Sequence, residues 1–211
     1  MQIAFLIYEG LTALDIVGPY EVLSQIPGVD LRFVAKRAGS VTVDSGAFSI
    51  GTDHKLADVP RPGVFVIPGG VAGTFAAARD PEILDWVREA HAHSRYSTSV
   101  CTGSLILGAA GLLKDTNATT HWAAKTLLEQ TGATYTAERM VVAGKIITAA
   151  GVSAGIDMAL YLMAELVGPD LAKVAQLSIE YDPSPPFDAG SPAKAGDAIV
   201  QRALAEFAKG T

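Results

Sequence analysis

The 211-residue chain contains one cysteine, Cys101, in the stretch YSTSVCTGSLILGAAGLL at residues 96–113. This stretch reads as a short apolar strand, a tight turn at the cysteine, and a helix of small residues opened by Thr102 and Gly103. A thiol at the head of a helix faces backbone N–H groups that lack an intrahelical acceptor, and it meets the positive end of the helix dipole. Both features favour the thiolate. The layout is that of a nucleophile elbow, where a reactive side chain rides a sharp strand-to-helix turn and small neighbours, here Ser99 and Gly103, leave room for it. A lone cysteine is ordinarily a small buried hydrophobe; a core cysteine, however, has no need of the strand–turn–helix setting.

Three further groups carry candidate chemistry. Asp15 lies in LTALDIVGPYEVLSQI, where Pro19 is expected in the first turn of a helix that starts near Gly18. Asp15 then sits at the mouth of the sheet, as a helix-capping carboxylate or as an acid–base partner. A strand over residues 64–67 runs into Pro68-Gly69-Gly70. A double glycine there either makes an ordinary turn or lets the backbone approach a ligand with its N–H groups pointing outward. His121 reads as a base for Cys101 or as the residue that orients the helix of AAKTLLEQ, with Thr119 or Thr120 as that helix's cap. His91 and His93, two residues apart on a helix over 81–94, point in different directions and read as solvated rather than as joint metal ligands.

These residues need strands to carry them and helices to cover the strands. Apolar runs at 2–8, 30–36 and 64–67, with shorter ones at 134–135, 140–142 and 146–149, alternate with helical patterns up to about residue 167. Such alternation implies a mostly parallel central sheet with helices on both faces. SVTVDSGAFSI reads as a hairpin added antiparallel to the sheet edge. The helix of GVSAGIDMALYLMAELV, residues 151–167, carries Gly151, Ala154, Gly155 and Ala159 for close packing, and its Asp157 reads as buried and structural. A helix at 169–180, the irregular YDPSPPFDAGSP and a helix at 193–209 complete what is expected to be one domain over residues 1–211. Sixteen basic against twenty-two acidic side chains, with no basic run, argue against nucleic acid. One cysteine excludes an intrachain disulfide and any multi-cysteine metal site, and it suits a reducing cytoplasm. No signal peptide and no membrane span are expected.

IPGG at 67–70, SVCTGSLILGAAGLL at 99–113, ATTHWAAKTLLEQTGA at 118–133 and AGVSAGIDMALYLMAELVG at 150–168 resemble the PfpI superfamily of class I glutamine-amidotransferase-like proteins. LDIVGPYEVL at 14–23 and QLSIEYDPSPPFDAGSP at 176–192 extend the likeness over nearly the whole chain. The CTGS and PPFDAGSP segments are most similar to its isocyanide-hydrating members. The resemblance implies a flavodoxin-like three-layer α/β sandwich, a homodimer, and cofactor-free hydration of an isocyanide to an N-substituted formamide. Cys101 would form a covalent thioimidate and Asp15 would match the family's catalytic carboxylate. The N–H groups of Gly70 and Thr102 would polarise the substrate, and the Thr102 side chain would help to position it. Peptidase relatives carry a histidine directly after the nucleophile, where this chain has Thr102. Deglycase-like relatives carry a glutamate where it has Asp15. The likeness leaves His121 an interface or structural role. Two other classes compete with the hydratase: a ligand-sensing domain like that of AraC-type regulators, disfavoured by the lack of a basic region, and a cysteine-based redox or carbonyl-stress protein.

Overall fold

The structure, a computed structural model, describes residues 1–207. Its strands are β1 (Gln2–Leu6), β2 (Asp30–Ala35), β3 (Gly39–Thr42), β4 (Ser49–Thr52), β5 (His54–Lys55), β6 (Val64–Ile67), β7 (Tyr96–Val100), β8 (Asn117–Ala118), β9 (Thr134–Tyr135), β10 (Met140–Ala143) and β11 (Ile146–Ala149). Its helices are α1 (Ala13–Leu23), α2 (Ala72–Ala77), α3 (Pro81–His93), α4 (Gly103–Ala109), α5 (Lys125–Glu129), α6 (Ala154–Val167), α7 (Pro169–Ser178), α8 (Pro192–Ala195) and α9 (Asp197–Phe207).

Seven strands form the central sheet in the order β10-β11-β7-β6-β1-β2-β5, parallel throughout except for β10, which is antiparallel to β11. The inner strands β1 and β6 are apolar and almost wholly buried, as a strand covered by helices on both faces must be. Helices α1, α6 and α7 pack together as one layer, and α2 to α5 group around α4 as the other. Chain order reverses between β1 and β6, and open parallel sheets place their sites at the C-terminal strand ends beside such a reversal. Asp15 follows β1, Gly69 and Gly70 follow β6, and Cys101 follows β7. All three therefore come to one crevice.

Several local expectations are corrected. Pro19 sits well inside α1, not in its first turn, so the helix starts at Ala13 and Asp15 lies within the first turn. The proline removes one intrahelical donor, but α1 is held by its contact with α6: the Pro19 ring packs at Gly155, and Ile156 packs at Gly18. The hairpin β3–β4 is a separate two-stranded sheet; the two-residue β5, too short to read from pattern, forms the edge of the main sheet. Helix α6 begins at Ala154, because residues 151–153 turn the chain into it. Asp157 is half-buried and ion-paired with Arg139. His91 is not solvated: it is half-buried with Nδ1 2.8 Å from Ser97 Oγ, and burial and the Lys145 charge hold its pKa below the usual value. The C-terminal helix breaks into α8 and α9 at Gly196, where φ is +77°, and its expected end at residues 208–209 lies outside the described residues. Among the described residues no helix is long and apolar enough to cross a membrane.

Candidate active site

Cys101 has φ of +56°, a backbone state that costs a residue with a Cβ about 1–2 kcal/mol. The surroundings hold it there. Its N–H donates to Ala149 O (3.1 Å) and Ala150 O (2.9 Å), and its carbonyl accepts from Thr120 Oγ1 (3.1 Å) and Ser104 Oγ (3.3 Å). Gly103 lets the first turn of α4 lie directly on β6, since a Cβ there would fall 2.4 Å from Ile67 O. The elbow is thus built from close backbone contacts around a strained cysteine.

Asp15 is fully buried. Its Oδ2 accepts the Gly69 N–H at 2.7 Å, and its Oδ1 has no partner at ordinary hydrogen-bond geometry. Burial pushes the carboxyl up to about 7, with the Asp44 charge adding to the rise; the Gly69 N–H and the Cys101 thiol, a weak donor outside that geometry, act against it. The thiol in turn is pushed up to about 12, first by burial and then by the Asp15 charge, while the Val152 and Thr102 N–H groups and the Thr102 hydroxyl pull it down. The thiolate expected at a helix head is therefore corrected to a resting thiol. Cys101 is only 6% exposed, and α4 is too short for its dipole to outweigh that desolvation. Thiol and carboxyl act on one another: the Asp15 charge raises the thiol, and the thiol steadies the carboxylate.

The Gly70 N–H, expected as a free donor, donates at rest to Thr102 Oγ1 (3.1 Å). The amides that act on the sulfur are those of Thr102 and Val152. Val152, with φ of +30°, was missed because a backbone donor leaves no mark in side-chain type. Gly69, which the sequence marks only as part of a turn, holds Asp15 through its N–H. Neither Thr119 nor Thr120 caps the following helical turn: Thr119 Oγ1 donates to Glu138 O, and Thr120 holds the elbow. His121 caps it instead, accepting the Ala123 N–H at Nδ1 (3.3 Å), and its ring packs against Trp122 and Phe207. This is a structural role. Among the described residues no group of three or more His, Cys, Asp or Glu side chains is placed to hold a metal.

A Cβ on Gly69 would lie 2.6 Å from both Thr102 N and Thr102 Oγ1 and 2.9 Å from Cys101 Cβ. Gly69→Ala is accordingly expected to displace the elbow and to cut turnover by at least about 10²-fold, the usual effect of misplacing reacting groups by an ångström. Steady-state kinetics on a variant with unchanged circular dichroism would test this.

Comparison with known proteins places the whole chain rather than the site. Residues 1–165 match the model of the DJ-1/PfpI family. Over 203 residues the chain is 45% identical to the isonitrile hydratase of Pseudomonas putida, covering 96% of this chain and 88% of that one. The crystal structure of a ThiJ/PfpI family protein from Pseudomonas syringae matches with a TM-score of 0.92 at 44% identity, covering 99% of this chain and 88% of that one. The HTH-type transcriptional regulator CdhR of Pseudomonas aeruginosa is 28% identical over 174 residues, which span 80% of this chain and 51% of the regulator. By the family match over most of its length, the chain belongs to the DJ-1/PfpI family.

Proposed function

We propose that the protein is an isocyanide hydratase, a cofactor-free lyase that converts R–NC and water to R–NH–CHO. One observation carries the reading: a buried carboxyl with a pKa near 7 faces a thiol on a strained elbow, and its second oxygen is unpartnered. The 45% identity to a named isonitrile hydratase supports it over nearly the full length.

Asp15 takes the proton of the Cys101 thiol as sulfur bonds to the terminal carbon of the isocyanide, and it returns that proton to the same carbon. The product is the thioimidate R–N=CH–S–Cys101. This splits a slow hydration into two easier steps. When the proton has moved to Asp15, the charge opposing the thiolate is gone, while the Val152 and Thr102 amides still face the sulfur. Water then adds to the thioimidate carbon: Asp15 accepts one of its protons and passes that proton to the nitrogen, which becomes N–H. In the collapse of the tetrahedral intermediate Asp15 takes the hydroxyl proton as the formyl C=O forms and the C–S bond breaks, and it passes that proton to the departing sulfur. The Thr102 hydroxyl positions the substrate beside the sulfur. The Gly70 N–H joins the donor set when Thr102 Oγ1 turns away from it.

The same reading places the enzyme in the cytoplasm as a homodimer. Leu171, Val174 and Leu177 form an exposed apolar stripe on α7, of the kind that a second copy would cover. A ligand-sensing domain has no need of a proton-exchanging pair at its centre, which favours the enzyme over the sensor.

The test is steady-state formation of the N-aryl formamide from a simple aryl isocyanide. Many turnovers per protein, with oxygen from isotopically labelled water in the formyl group, are expected. Stoichiometric modification of Cys101 without release, or no reaction, would overturn the assignment.

A further inference from the structure

Helix α2 carries a fully buried hydroxyl that the mechanism above does not use. Thr74 Oγ1 lies 2.7 Å from Gly70 O, 2.9 Å from Thr102 Oγ1 and 3.2 Å from Tyr8 OH. Tyr8 gives its own proton to Pro68 O at 2.6 Å, so its oxygen can only accept. Thr102 Oγ1 already accepts the Gly70 N–H and sits 2.9 Å from Gly70 O. Two hydroxyl protons, on Thr74 and Thr102, therefore both reach one buried carbonyl, which has two lone pairs to receive them.

We propose that Thr74 is a positioning residue for the nucleophile: by donating to the Gly70 carbonyl it frees the Thr102 hydroxyl to turn toward Cys101. The Thr102 hydroxyl is within reach of the thiol and already pulls it down, and Thr102 Oγ1 and Cys101 Cβ lie on the same side of Gly69, 2.6 and 2.9 Å from where a Cβ on that glycine would stand. Without the Thr74 hydroxyl, the Gly70 carbonyl has only Thr102 to satisfy it. A buried carbonyl left unpaired is costly enough to hold the Thr102 proton there. The sulfur then loses a donor at the moment it becomes an anion. This inference rests on Cys101 being the nucleophile.

The test is the rate of iodoacetamide alkylation of Cys101, the chain's only cysteine, measured against pH. Thr74→Val keeps the shape and removes the hydroxyl; Thr74→Ser keeps the hydroxyl and removes the methyl. Thr74→Val is expected to slow alkylation about 10-fold near pH 8, the effect of one charge-assisted hydrogen bond. It is expected to lower kcat by a similar factor with little change in KM, and Thr74→Ser to restore both. In a Thr102→Val background Thr74→Val should have no further effect, because its action runs through that hydroxyl. A packing role predicts the reverse order, with Val tolerated and Ser impaired. That order, an unshifted pH profile, or additive effects in the double variant would overturn the inference. Alkylation reads the thiol without any isocyanide, so failure of the hydratase assay and failure of this proposal are separate results.

Discussion

Cys101→Ala is expected to lower kcat/KM for isocyanide hydration by more than about 10⁴-fold, as loss of a covalent nucleophile does. The same replacement should leave a folded protein, since alanine keeps the Cβ and the backbone hydrogen bonds at Ala149, Ala150, Ser104 and Thr120 do not involve the sulfur. The φ of +56° allows a sharper comparison. Glycine adopts that conformation without the Cβ clash, so Cys101→Gly is expected to be more stable than Cys101→Ala by about 0.5–1 kcal/mol, despite glycine's greater freedom in the unfolded chain. Both variants would be inactive. Urea unfolding of the two proteins measures the strain that the elbow stores. Equal stability would mean that the turn is relaxed, and residual turnover within about 100-fold of the parent would remove Cys101 from the chemistry.

The parts of this site that were legible in the sequence are those written in side-chain type. A cysteine between an apolar run and small residues marks an elbow, and Asp15 and the double glycine fall after neighbouring strands. Alternation of strand and helix gave the layered sheet for the same reason: burial on both faces leaves a continuous apolar run such as residues 3–6. Features decided by tertiary packing were not legible. Pro19 is tolerated inside α1 because α6 packs on it at Gly155, a contact 136 residues away that outweighs local propensity. The protonation state of Cys101 was misread because a helix-head argument counts donors and not desolvation. The Val152 amide and the Thr74 hydroxyl come from a turn and a six-residue helix, neither of which has a periodic signal.

Asp15→Asn is the second replacement of large expected effect, and it acts in opposite senses on catalysis and stability. The carboxylate is the base that takes the thiol proton, and its pKa is raised to about 7 by burial. In the parent protein kcat/KM should therefore rise with pH and level off above about 7. Asp15→Asn should abolish that limb and reduce the rate by about 10²–10⁴-fold, the range for a general acid–base group. For stability, the folded-state pKa lies above the ordinary carboxyl value of 3.8. Below about pH 4 the group is protonated in both states. Between about 4 and 7 the unfolded chain gives up its proton while the folded chain keeps it, so rising pH costs the fold stability, on the order of 4 kcal/mol for about three units at 1.4 kcal/mol each. Asparagine carries no such proton. The variant should gain on the parent as pH is raised from 4.5 to 8, in urea unfolding at each pH, while losing the activity that the buried acid supports. A variant that kept the parent's pH–rate limb near 7, or whose stability difference did not change with pH, would place the titrating group elsewhere and leave the thiol without its base.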